Sequence, residues 1–275
     1  MSRVTYGLGV AASLVGLAVL SGACGAGSDD ASRTPTSASA SASPVQGSDT
    51  TEPAAGEETP AQRCTGERGP GHERVIRAGG SRLVGAELGH GTTWAVFLHQ
   101  TGGSGLCGWW TYGDRVAGQG VHVLLLDLCG YGRSTCAGRL SGDQIGQAAT
   151  AVAYARRRGA ERVTIVGASM GGAVALPAAR ASRADAVVDL SGPPDWTGTD
   201  LAQDARRLTM PTLLAISPSD SSSVPAFRKA IRHVPADVKR LEVVSGGHGI
   251  EMLGYPGNWS RLATTVQRWI VGDYS

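Results

Sequence analysis

The chain has 275 residues, a formal net charge of +2, 41% hydrophobic residues and 40 glycines. That length allows a sizeable buried core with residues to spare for a tail. The basic residues are almost all arginine and form no stripe interleaved with aromatics, and the five cysteines lack zinc spacing, so neither nucleic acid nor a metal is an expected ligand.

Arg3 and the apolar run Leu8 to Leu20 read as a targeting segment, shorter than a membrane span needs. Leu20-Ser21-Gly22-Ala23-Cys24 resembles a bacterial lipobox, with the branched residue one place further out than usual. Residues 1–24 are thus expected to form a signal peptide ending at Cys24, the candidate lipidation site, and plain secretion is the alternative. Residues 25–62 are Ser, Ala, Thr, Gly, Pro and acidic, with six acids, one arginine and no aromatic residue. Such a stretch cannot bury enough apolar area to fold, and predicts a disordered tether with a span of roughly 35 Å. The domain is expected over residues 63–275.

Within it, Glu73 to Leu88 has two strand-like runs joined at Gly79-Gly80, a hairpin signal. Trp94 to Leu98 is a further apolar run and leads into His99-Gln100-Thr101-Gly102. Val121 to Asp127 is continuously apolar, as in a parallel strand buried on both faces. A helical segment over Ser141 to Arg158 follows, and its Arg156-Arg157-Arg158 end reads as a solvated C-terminus facing the helix dipole.

Next comes the most informative stretch. The β-branched run Val163 to Val166 breaks into Gly167-Ala168-Ser169-Met170-Gly171, and Ala173 to Ser182 is helical. A strand, a tight turn with one serine and a helix are the context in which G-x-S-x-G exposes a nucleophile. Strands over Ala186 to Leu190, Pro211 to Ile216 and Lys239 to Val244 alternate with helices over Val224 to His233 and Trp259 to Val271. That alternation predicts a largely parallel sheet covered on both faces. Just past the last strand, His248 lies between glycines, where an imidazole has the freedom a general base needs. His72, His90, His99, His122 and His233 have no such setting.

From about Val75 to Tyr274 these motifs, in this order, resemble the α/β-hydrolases. The resemblance implies an α/β-hydrolase fold with a mostly parallel central sheet. It also implies a triad in the order Ser169, Asp220, His248, with Asp195 as the reserve acid. The oxyanion hole would use the N–H of Met170 and that of Thr101, or failing that Gln100. His99 and the loop Asp127-Leu128-Cys129-Gly130-Tyr131-Gly132-Arg133-Ser134 would shape the site rather than react. Two positions depart from the family pattern: Gln100 and Ser217 stand where glycine is usual. Leu190 to Thr212 leaves room for one short helix near Leu201 to Leu208 and no large cap domain. Trp109, Trp110 and Trp196 are candidate pocket walls, though core packing is the commoner fate of a tryptophan.

Apart from Cys24, the four cysteines Cys64, Cys107, Cys129 and Cys136 predict disulfides in an exported protein. Of three pairings, Cys129–Cys136 (within one loop) with Cys64–Cys107 is preferred. The expected function is a cofactor-independent serine hydrolase that cleaves small acyl esters through an acyl-enzyme on Ser169. It would be lipid-anchored to the membrane at the bacterial cell surface. Thioester or peptide cleavage, or acyl transfer, would use the same triad. A non-catalytic surface lipoprotein of the same fold is the alternative of a different class.

Overall fold

A computed structural model describes residues 58–275 except Arg68, Gly103 and Ser221. The expected signal peptide, Cys24 and the tether as far as residue 57 lie outside the described residues. The described part opens with helix α1 (Pro60–Thr65), which starts inside the stretch predicted not to fold and runs past its end. Thr59 caps it in a reciprocal capping box with Gln62, a proline sits in its first turn, and Gly66 ends it in a left-handed conformation. The first described helix thus starts three residues before position 63.

Strands β1 (His72–Ala78) and β2 (Ser81–Leu88) pair antiparallel across Gly79 and Gly80. The chain then alternates β3 (Thr93–Leu98), α2 (Trp110–Ala117), β4 (His122–Leu126), α3 (Gln144–Arg157), β5 (Arg162–Ala168), α4 (Met170–Ser182) and β6 (Ala186–Leu190). A small hairpin of β7 (Asp195–Trp196) and β8 (Thr199–Asp200) and the single turn-and-a-half of α5 (Leu201–Ala205) fill the gap before β9 (Thr212–Ile216). Helix α6 (Val224–His233), β10 (Lys239–Val243) and α7 (Arg261–Val271) complete the domain.

The main sheet has eight strands in the order β1-β2-β4-β3-β5-β6-β9-β10, and every pair from β4 to β10 is parallel. Strands β6 and β9 are buried along their whole length, and β5 from Val163 onward, because two separate apolar clusters cover the two faces. Nothing larger than the β7–β8 hairpin and α5 stands between β6 and β9, in line with the absence of a cap domain.

Helix α2 has no clear signal in the sequence. Gly113 allows it to lie flat on β4, since a Cβ there would come within 2.9 Å of the Leu125 side chain. Trp109 and Trp110 are buried, and the Trp109 indole N–H donates to the Leu98 carbonyl at 3.0 Å. Those two tryptophans are core, not pocket walls. Trp196 is only partly buried and donates to Gln144 Oε1 at 2.9 Å.

Candidate active site

The C-terminal edge of the parallel strands gathers the expected residues, as the topology of open α/β sheets requires. Ser169 stands between β5 and α4 with φ 49° and ψ −119°, a backbone conformation that residues with a Cβ rarely adopt. The crossing is tight. A Cβ on Gly167 would strike the Gly171 carbonyl, and one on Gly171 would strike the Leu98 carbonyl, so neither glycine is replaceable. The Ser169 N–H donates to the Leu190 carbonyl at 2.8 Å, and its own carbonyl accepts from Gly172 and Ala173. Met170 begins the helix, where backbone N–H groups lack intrahelical acceptors and the dipole end is positive.

On the far side of the sheet edge, His248 Nδ1 and Asp220 Oδ1 are 2.8 Å apart. Asp220 comes from a 3₁₀ turn after β9, and its partner from the glycine-rich loop after β10. Asp195 lies exposed on the β7–β8 hairpin and makes no such contact, so the carboxylate that meets His248 is Asp220. The His248 side chain is 42% exposed, which leaves the imidazole open to solvent. Gly249 closes the distance to the elbow: a Cβ on it would lie 3.3 Å from the Ala168 Cβ and 3.6 Å from the Ser169 nitrogen. The hydrogen bonds among the described residues include none from Ser169 Oγ. Such bonds commonly form only when a substrate closes the site.

Both departures from the family pattern have a structural use. Ser217 is fully buried, and its hydroxyl donates to the Gly247 carbonyl while accepting from the Ser219 N–H. It thereby ties the Asp220 turn to the His248 loop. Gln100 is half-buried, and its side-chain oxygen accepts from the Ile250 N–H at 3.3 Å. Thr101 follows at an exposed bend.

His99 and Asp127 are occupied elsewhere. The Leu128 N–H donates to His99 Nε2 at 3.1 Å, so the ring proton sits on Nδ1 and donates to the Gln100 carbonyl at 2.8 Å. Burial pushes the pKa of His99 down, outweighing the Gln100 contact and keeping the ring neutral. Asp127 is fully buried, takes a bidentate pair from Arg63 at 2.7 and 3.1 Å and accepts the Leu106 N–H at 2.8 Å. Both residues shape loops. Arg63 was not singled out by its sequence, because its partner is far away in the chain. The sulfurs of Cys64 and Cys107, and of Cys129 and Cys136, are bonded, with Cα separations of 5.0 and 5.7 Å.

The contacts of Gln144 around Met170 also had no signal in the sequence. Tyr131 OH and Gln144 Nε2 both point to the Met170 sulfur, at 3.7 and 3.3 Å, and Gln144 in turn holds Trp196.

Beneath the elbow, Asp189 is buried against the first turn of α4, with the Gly192 N–H on one oxygen at 2.7 Å and no partner for the other among the described residues. Burial pushes its pKa up to about 7 despite that N–H. Because the folded-state value exceeds the ordinary 3.8, its contribution to stability is full below about pH 4 and lost as pH rises through 7. Asp189→Asn keeps an acceptor for Gly192 and cannot ionise. It is expected to be more stable than the parent at pH 8, by roughly 4 kcal/mol at most, and to flatten the fall in stability between about pH 4 and 7. Denaturant titrations across that range check this, and parallel parent and variant curves would refute it.

Residues 95–237, just over half of the chain, match the model of the alpha/beta hydrolase fold family. The chain belongs to that family. Among solved structures, this alpha/beta hydrolase is similar to dienelactone hydrolase from Anabaena variabilis, at 21% identity over 73% of this chain and 96% of that one, with a TM-score of 0.57. It is also similar to Est1E from Butyrivibrio proteoclasticus, with ferulic acid bound, at 15% identity over 72% and 98% of the two chains and a TM-score of 0.56. An esterase of Pyrococcus furiosus aligns at 16% identity over 80% and 98%, with a TM-score of 0.58. Likeness at these identities is likeness of fold. No curated protein sequence matches the chain.

Proposed function

We propose that this alpha/beta hydrolase is an exported serine hydrolase that cleaves carboxylic esters through an acyl-enzyme on Ser169. The observation that carries the reading is the 2.8 Å pair of His248 and Asp220, on loops that converge on the strained serine elbow. Asp220 accepts from Nδ1, which leaves Nε2 of a neutral His248 free to take the Ser169 proton. Oγ attacks the ester carbonyl, and the oxyanion is held by the N–H of Met170 with that of Thr101 or Gln100. The tetrahedral intermediate collapses as His248 returns the proton to the leaving alcohol. Water, deprotonated by the same imidazole, then releases the acid and regenerates Ser169. Each step uses protein groups and one water.

The two disulfides favour an oxidising compartment and so support export. Lipid anchoring at Cys24 rests on the leader sequence.

The test is mass spectrometry after treatment with a fluorophosphonate, which phosphonylates a serine only where a working base and oxyanion hole activate it. A single adduct on Ser169, absent from the His248→Ala variant, is expected. A folded, disulfide-intact protein without that adduct would move the reading to a binding role.

A further inference from the structure

The loop that carries His248 is poorly restrained by its own sequence, because Gly246, Gly247 and Gly249 surround the imidazole. Three contacts hold it. Asp220 takes Nδ1, the Ser217 hydroxyl takes the Gly247 carbonyl, and Gln100 Oε1 accepts the Ile250 N–H. The first two come from the acid turn after β9. The third comes from the opposite side, from the residue two past the end of β3, and spans the gap between the elbow and the histidine loop.

We propose that the Gln100 side chain is a positioning residue. Its carboxamide oxygen holds the Gly249–Ile250 segment against the elbow and so sets the His248 imidazole over Ser169. The inference rests on the serine-hydrolase reading and deepens it.

Four features support the assignment. First, the partner is a backbone N–H, which only the carboxamide oxygen can accept, so the orientation of the side chain is chemically determined. Second, the contact is close on the backbone as well. A Cβ on Gly249 would lie 2.6 Å from Gln100 Oε1, so glycine at 249, with φ 57°, is what lets the carboxamide reach the chain here. The same Cβ would lie 3.6 Å from the Ser169 nitrogen, so the strut, the histidine loop and the nucleophile meet at one point. Third, the base of the strut is rigid. His99 is fully buried, grips the Gln100 carbonyl through Nδ1 and is itself held by the Leu128 N–H. Fourth, the next residue along, Ile250, is backed by Gly108, where a Cβ would come within 3.2 Å of the Ile250 Cδ1. Glycine at position 100 would offer no side chain to reach Ile250, so the departure from the family pattern supplies a restraint that a glycine-rich histidine loop lacks.

The effect should fall on chemistry rather than on binding, because a misplaced base slows proton transfer without removing substrate contacts. Gln100→Met keeps the length and removes the acceptor. Gln100→Glu keeps the acceptor. Three readouts are made on the disulfide-intact parent and both variants: the rate of Ser169 labelling by a fluorophosphonate, kcat and KM for an aryl ester, and Tm. The methionine variant is expected to label and turn over roughly tenfold to a hundredfold more slowly, with KM within about twofold and Tm little changed. The glutamate variant should recover most of the lost kcat. Labelling of the methionine variant at the parental rate would overturn the proposal. So would a raised KM with unchanged kcat, which would make Gln100 a substrate contact, or a glutamate variant as slow as the methionine one. A parent protein that does not label at all is a distinct outcome: it removes the serine-hydrolase reading itself.

Discussion

Ser169→Ala is expected to lower kcat for ester hydrolysis by about 10⁴-fold or more while leaving the fold intact, and His248→Ala should do the same. The two losses should not add. Nucleophile and base act in one proton-coupled step, so the double variant should be about as slow as either single one, with residual turnover from the oxyanion hole alone. Asp220→Asn should lose less than Ser169→Ala. The imidazole would remain in place, but the group stabilising its protonated form would be gone. The strained backbone offers an independent check. With φ 49°, Ser169 holds a conformation that glycine accepts at little cost, so Ser169→Gly should be equally inactive yet melt higher than the parent. Steady-state kinetics with an aryl ester, alongside thermal melts of the same preparations, give both answers. A Ser169→Ala protein that keeps more than about one per cent of parental kcat would exclude this serine as the nucleophile, given the losses such variants show.

The second large effect lies away from the chemistry. Asp127→Ala is expected to destabilise the domain by about 3–5 kcal/mol, the usual cost of leaving one member of a buried ion pair alone. Asp127 is fully buried, and its removal strands both the Arg63 guanidinium, only 17% exposed, and the Leu106 N–H. Helix α1 would then be attached to the turn at Gly105–Trp109 through the Cys64–Cys107 disulfide without its ion pair. Because the desolvation penalty of a buried pair offsets much of its attraction, replacing both residues should hurt less than replacing one. Arg63→Leu with Asp127→Leu should therefore be more stable than Asp127→Leu alone. Urea denaturation of the oxidised proteins measures this, and strict additivity of the two changes would contradict it. Activity should fall with stability, because Gly108, in the same turn, packs on Ile250 just beyond His248.

The elbow was legible in the sequence because every requirement it meets is local. A β-branched run, two glycines at close-contact positions and an apolar helix lie within about twenty residues, and short-range sterics decide them. The parallel sheet followed from the alternation of buried runs and helices for the same reason. The order of serine, aspartate and histidine, with Asp220 preferred to Asp195, came from the family resemblance, and the fold adds the contact that Asp220 makes. Both acids follow strands of the same sheet, but only one ends on the loop that faces His248.

Helix α1 was missed although its capping box and proline are local, because what fastens so short a helix, Asp127 and Cys107, lies 64 and 43 residues away in sequence. Helix α2 could not be read because its glycine is there to touch β4, not to favour a helix. Gln100 and Ser217 looked like defects in a pattern; in the folded domain each bridges two loops. Period and local sterics are written along the chain. Which loop ends meet is decided by strand order, and strand order is a property of the sheet as a whole.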